Sequence, residues 1–254
     1  MAMASEIRPI VQVWGGKFMT SAELAEAEKA VGLPPRMLYF RGRSAVLGDL
    51  PPAVAAELFG IFPHWLFALV LPAAVNAVSV KDAVVAYTDA LARWSGTHLA
   101  GLEDPERLAA LLQQVLAGAD ASGLALFAGW RAVDVPAEPL ARVGHSLMVL
   151  REFRGGVHFA ALRANAVTVP EAVVADPEGG YERLLRTAWQ PAEAEALVAR
   201  ARARSDLDER WRRAEAMTDE VVTELLDATL TPEEQSDLLS SLRDLDAIAK
   251  AHEE

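Results

Sequence analysis

Leu147-Met148-Val149-Leu150-Arg151-Glu152-Phe153-Arg154-Gly155-Gly156-Val157-His158-Phe159-Ala160-Ala161-Leu162 is the stretch on which the fold turns. Arg151, Glu152, Arg154 and His158 stand among large apolar side chains, too closely interleaved for a helix with one wet face. A buried charge is costly unless a counter-charge meets it, so these groups must be paired inside the protein. The segment reads as a polar cluster set into a core. Gly155-Gly156 predicts a break there, with two helices meeting.

Outward from this stretch nearly every segment carries helix punctuation. Ser21 is an N-cap for a helix over 22–31, with Gly32 as its stop. Pro35 opens 36–46, and Pro52 starts 53–62. The apolar run 61–78 holds Pro63, His64, Pro72 and Asn76 and reads as a buried helix pair. Ser79 caps a long helix through Trp94, and Asp104-Pro105 opens 106–116. Residues 117–139, rich in Gly, Ala and Pro, form the longest irregular stretch, after which Pro139 begins a helix through Arg154. Alternating strand patterns are scarce. The expected fold is mainly α: a multi-helix body, a degenerate winged-helix or helix-turn-helix element, and long C-terminal helices. Two regions are expected, 1–122 and 136–254, which one continuous domain would also satisfy.

With 52% hydrophobic residues among 254, the chain can bury a large core. No apolar run approaches the roughly 18 residues that cross a bilayer, and 1–8 do not resemble a secretory signal. Cytoplasmic residence without membrane contact is expected. The lack of cysteine excludes disulfides, thiolate metal sites and cysteine nucleophiles. Only 4 of the 24 basic residues are Lys, which with the abundant Ala points to a GC-rich genome. Of the net charge of −12, residues 191–254 carry −9, from 8 Lys/Arg against 17 Asp/Glu. DNA binding draws on several Lys/Arg contacts, so this tail argues against nucleic acid as a partner.

In the tail, Leu207, Trp211, Ala214, Thr218, Val221 and Leu225 recur at helical spacing, and Thr231-Pro232 opens a last helix with Leu238, Leu239, Leu242 and Leu245 inward. Either the stripe packs within the chain or it forms a homodimer seam.

The segment 39–48, YFRGRSAVLG, followed by Phe59-Gly60-Ile61-Phe62-Pro63, resembles the first signature of a helix-turn-helix-like family of high-GC bacteria. That family has no assigned activity and is distantly related to MarR-type winged-helix regulators. Leu150 to His158, with His145 upstream, resembles its second signature; the likeness spans about residues 30–230. MarR relatives pair through terminal helices, so the resemblance also implies a homodimer. The departures are informative. Gly60-Ile61 replaces a Tyr-Asn pair, Phe153 a common His, and Gly156 a common Asp. A roomier, greasier cavity is expected wherever these positions line one. The Gly-containing hairpin that follows Trp189 in the family, its wing, is missing, and 198–208 reads as continuous helix. A helix-turn-helix drawn over 159–166 and 170–175 puts Glu171 and Asp176, with no Lys, Arg, Asn or Gln, on the would-be recognition helix. Such a helix does not read base edges.

The candidate pocket lies where the two signatures meet. Tyr39, Phe40, Arg43, Phe59, Phe62, Trp65, Arg151 and Arg154 are its expected ligand-binding residues. His145, Glu152 and His158 are the acid–base candidates if it is catalytic. Pairing of Glu152 with Arg154 or Arg43 is the structural alternative. His145 and His158 match no zinc spacing, so no metal is expected. No phosphate loop, Gly-x-Gly-x-x-Gly or serine elbow occurs, so neither is a cofactor. His64 reads as a first-turn residue at the pocket rim, and His98 and His252 as solvent residues. Two functions fit: a protein that senses or sequesters an apolar or aromatic metabolite, and an organic-cofactor-independent enzyme for a cyclisation, elimination or proton transfer on a natural-product-like substrate.

Overall fold

The computed structural model describes residues 3–253; the side chains of 246 and 249–253 lie outside that description, His252 among them. The helices are α1 Met3–Trp14, α2 Ala22–Ala30, α3 Met37–Ala45, α4 Pro52–Phe59, α5 His64–Ala77, α6 Val80–His98 and α7 Pro105–Gly118. They continue as α8 Ala125–Arg131, α9 Pro139–Ala164, α10 Val169–Ala175, α11 Tyr181–Arg186, α12 Pro191–Arg202, α13 Leu207–Thr229 and α14 Pro232–Glu253. A 3-10 turn, Lys17–Thr20, joins α1 to α2. Among the described residues there is no strand, so the fold is all-helical and carries no wing.

Local chemistry sets most of the boundaries. The side chains of Ser21, Ser79, Asp104 and Thr168 accept from backbone N–H groups three residues on, which are otherwise orphaned at a helix start. Proline occupies the first turn of α4, α7, α9, α10 and α12, where its missing N–H costs nothing. At the start of α3 the cap comes from afar. Glu28 of α2, 5% exposed, accepts from the N–H groups of Arg36 and Leu38, both at 2.8 Å.

Four expectations are corrected. The expected helix junction at Gly155-Gly156 does not exist: α9 runs unbroken from Pro139 to Ala164. Apolar burial on both sides outweighs the weak helix propensity of glycine, and the space at Gly156 is filled by Leu124, whose Cδ2 would lie 2.8 Å from an added Cβ. The 117–139 stretch holds α8, anchored by buried Leu126, Phe127 and Trp130. Between α12 and α13 the chain breaks at 203–206, where Arg204 turns inward to the Ala166 carbonyl and Glu171. The run 61–78 holds one helix, α5, rather than a pair, with Pro72 inside it.

Around α9 stand α1, α6, α7, α8 and α13. The largest core takes side chains from Ala4 to Leu245, on both sides of the 117–139 segment. A second, aromatic core lies under α3, α4 and α5, built on Phe40, Phe59 and Phe67. Small cores serve the α10–α12 unit (Val173, Leu184, Ala194, Leu197) and its seat on α9 and α13. The α13 stripe packs within the chain, with Val222 taking the place expected of Val221 and Leu225 buried. Met217 and Val221, each 41% exposed, are the large apolar side chains that α13 leaves in solvent. No single described helix is long and apolar enough to cross a membrane.

Two glycines of α9 should respond oppositely to alanine. At Gly155 an added Cβ meets nothing within 4 Å, so Gly155→Ala should stabilise by roughly 0.5–1 kcal/mol through helix propensity. At Gly144 it would collide with Ser95 Oγ of α6, and Gly144→Ala should cost roughly 1–3 kcal/mol. Urea denaturation of both variants decides; equal shifts would mean that α9 is not seated on α6 at this point.

Candidate functional site

A cleft of about 740 Å³ opens between the body and the α10–α12 unit. The end of α1 and the start of α2 form one wall, with Gly16, Met19 and Leu24. The start of α3 supplies Arg36, Met37, Tyr39 and Phe40; α5 and the turn before it supply Phe62, Leu66 and Val70. Arg151 of α9 comes through from the interior, and Arg186, Thr187 and Ala188 close the cleft from the end of α11. Arg36 (φ +69°) and Ala188 (φ +70°) hold left-handed backbone that non-glycine residues adopt at a cost. Both line this cleft.

Behind the cleft lies a buried ion pair. Arg43 Nε donates to Glu152 Oε1 at 2.7 Å and its Nη2 to Oε2 at 2.8 Å, a bidentate fork. The third arm, Nη1, donates to the Tyr39 hydroxyl at 3.2 Å. The guanidinium plane lies 4.5 Å from the centre of the Phe59 ring, a cation–π contact. Trp130 Nε1 donates to the Arg43 carbonyl at 3.0 Å, tying α8 to α3. Burial pushes the Glu152 carboxyl up, but Arg43, and after it Arg151, more than offset this, so its pKa lies below the usual value.

A second cluster sits on another face of α9, against α1 and α13. Arg154 Nη2 donates to Glu215 Oε2 at 2.9 Å, and Arg8 Nη1 reaches the same oxygen at 3.0 Å. Asp219 lies 3.3 Å from Arg8 and 3.5 Å from Arg154. The Thr218 hydroxyl donates to the Ala214 carbonyl at 2.7 Å, which leaves its oxygen to accept from His158 Nδ1 at 3.1 Å. His158 Nε2 then faces Glu215 Oε1 at 3.5 Å.

The structure thus divides the candidate residues. Tyr39, Phe40, Phe62 and Arg151 line the cleft; Arg43, Phe59 and Glu152 are packed directly behind it. Arg154 and His158 belong to the α13 cluster, and share no partner with Arg43. His145 is 3% exposed, with its Nε2 unpartnered. Trp65 stands 37% exposed and does not line the cleft. His64 pairs with Glu57, while His98 stacks on Trp94. The expectation that Gly60 and Gly156 enlarge a cavity is corrected: Phe159 fills the space beside Gly60, as Leu124 does beside Gly156. Sequence reasoning missed Met19, Leu24, Arg36, Leu66, Val70 and Arg186. Gly15-Gly16 was an available signal. An added Cβ on Gly15 would lie 2.6 Å from the Leu147 carbonyl oxygen, so these glycines let α1 end against α9.

The expected helix-turn-helix segment is the end of α9, a turn at 165–168 and α10; beyond the cleft α11 and α12, joined by a short turn at 187–190, have the same form. Trp189 in that turn donates from Nε1 to the Ile61 carbonyl at 2.9 Å and moors the unit to the body. A family model described as a helix-turn-helix family matches residues 4–253. The chain belongs to that family. No curated protein and no solved structure matches it. In this helix-turn-helix protein the unit itself is a small part of what the family model covers. The acids of α10 are structural: Glu171 completes a capping box with Thr168 and binds Arg204 at 2.8 Å, while Asp176 binds Arg183. Along α12 the exposed positions include Ala192, Glu195, Ala196, Ala199 and Arg200.

Glu152→Gln keeps the shape but leaves Arg43 facing no charge, and should lower the unfolding free energy by roughly 3–5 kcal/mol. The double variant Arg43→Met/Glu152→Met should lose far less than Arg43→Met and Glu152→Met lose together; additivity in a urea double-mutant cycle would refute the coupling. Burial lowers the His145 pKa from 6.5 to about 4. Between those values the unfolded chain binds the proton and the folded one does not. Stability should therefore be full above pH 6.5 and fall toward pH 4, by on the order of 3 kcal/mol from this group. His158, also lowered chiefly by burial, adds loss of the same sign. Chemical denaturation from pH 7 to 5 should show a shallower slope for His145→Leu than for the unmodified protein.

Proposed function

We propose that this helix-turn-helix family member is a small-molecule binding protein that senses or sequesters an apolar or aromatic metabolite. The observation that carries the reading is the cleft of about 740 Å³, within the usual range for ligand pockets. Apolar side chains from α2, α3 and α5 converge there with a few polar groups, and its far wall is the end of α11. A molecule seated in it would touch the body and the helix-turn-helix unit at once, a suitable arrangement for sensing.

Two features favour binding over turnover. Glu28, an acid lining the cleft, spends both oxygens on backbone N–H groups, which leaves it poorly placed as a base. His145 and His158 do not line the cavity. Recognition of DNA is not part of the reading: the acids of α10 are spent on Thr168, Arg204 and Arg183, and on α12 the exposed Arg200 and Arg202 are matched by exposed Glu193 and Glu195 among alanines. A homodimer built on α13 would have to use Met217 and Val221, since Leu225 is buried within the chain.

Ala25 is exposed and lines the mouth of the cleft, so a large side chain there obstructs entry without displacing core atoms. The neutral fluorophore N-phenyl-1-naphthylamine should bind the unmodified protein saturably at one site. Ala25→Trp should abolish that binding and leave the melting temperature of the unliganded protein unchanged. Equal binding by both proteins would defeat the proposal.

A further inference from the structure

We infer that the ligand of this cleft is an amphipathic monoanion, an apolar body with one carboxylate-type head, and that Arg151 and Arg186 receive the head. This rests on the reading of the cleft as a ligand site and specifies what enters it.

Charge at the cleft is unbalanced. Arg43 and Arg151 both face Glu152, but Arg43 occupies both carboxylate oxygens at 2.7 and 2.8 Å. Arg151 is left at 3.5 Å from Oε1, with 29% of its side chain still accessible. One carboxylate therefore meets two guanidiniums, and the one in surplus lines the cavity. Arg186 and Arg36, which also line it, have no ion-pair partner among the described residues. Glu28 opposes them weakly, because its oxygens are turned to the backbone N–H groups of Arg36 and Leu38.

The path of Arg151 is cleared by the chain itself. A Cβ on Gly16 would come within 3.0 Å of Arg151 Nε and 3.5 Å of its Cδ. Glycine at this position lets the guanidinium lie against the end of α1 and remain in the cavity. The rest of the lining is mainly apolar, with Met19, Leu24, Phe62, Leu66 and Val70, and among the described residues holds no further unpaired cation besides Arg36 and Arg186. A guanidinium fork matches a planar carboxylate, and a partly enclosed site strengthens that contact over its worth in water. Arg36 is the remaining cation of the lining, and Glu28, which accepts from its backbone N–H, places negative charge beside it that disfavours a second anionic group there. The site therefore selects one negative head on an apolar body.

The test compares two probes with the same aromatic frame. 8-Anilinonaphthalene-1-sulfonate carries an anionic head, and N-phenyl-1-naphthylamine carries none. The unmodified protein should bind the sulfonate probe roughly ten-fold tighter or more, the usual worth of a charged hydrogen bond. Arg151→Met and Arg186→Met should each erode that advantage while neutral-probe affinity stays within about two-fold, and Arg151→Lys should restore part of it. Because Arg186 is exposed, its variant keeps the test valid even if Arg151→Met fails to fold. Equal affinity for both probes, with Ala25→Trp removing both, would overturn the anionic head and leave the cleft as a ligand site. Equal loss of both probes in the arginine variants would also overturn it, by making the arginines mere wall. Binding that ignores Ala25→Trp would overturn the cleft reading and this inference together.

Discussion

A long helix enclosed by neighbours can carry charge only where a neighbour brings the opposite charge to meet it, and α9 is such a helix. Glu152 is 4% exposed and Arg154 6%, so each needs its partner in place before burial is tolerable. Glu152 finds Arg43 of α3; Arg154 finds Glu215 of α13, which also holds Arg8 of α1. These links join elements far apart in sequence and fix how each is rotated and slid along α9. An apolar surface alone would accept several registers of similar energy. A fork of two short hydrogen bonds accepts one.

The same constraint generates the cleft. Because Arg43 saturates Glu152, Arg151 on the preceding position of α9 is left with a distant contact and turns toward solvent past Gly16. Aromatic packing holds the opposite side: Tyr39, Phe40, Phe59 and Phe62 meet mainly edge to face, geometry that fixes ring positions as well as burying area. The candidate site is thus a by-product of two rigid clusters, one ionic and one aromatic, that share Tyr39.

Much of this was legible in the sequence. Ser21, Ser79, Asp104 and the first-turn prolines act through neighbours a few residues away, so their helix starts could be read directly. The embedded charges of 151–158 announced a paired cluster, and Arg43 was among the partners considered for Glu152. What escaped was anything decided by a distant side chain. Gly155-Gly156 breaks a helix on propensity, yet Leu124 packs against Gly156 and the helix continues. His158 and Arg154 share the charged stretch with Glu152 but point elsewhere, and no local rule says that Glu215 waits on α13. The cleft wall was missed because Met19, Leu66 and Arg186 are individually ordinary and become a site only when the chain folds back on itself.

The α10–α12 unit has a core of its own, made of Val173, Leu184, Ala194 and Leu197 and so only a few side chains deep. Trp189 gives it a polar tether to the aromatic body, and its seat on α9 and α13 is a small cluster in which alanines stand among Leu162, Val167 and Leu207. Apolar area of that size stabilises little, and elements held this lightly open at free energies well below that of global unfolding. The protein accordingly has a built-in hierarchy, in which backbone amides of α11 and α12 exchange with solvent through local opening while those of α9 wait for the whole molecule to unfold. Anything lodged against Arg186 and Ala188 adds its binding free energy to the closed form alone. Occupancy of the cleft would then be written into the exchange rates of α12, none of whose residues lines it.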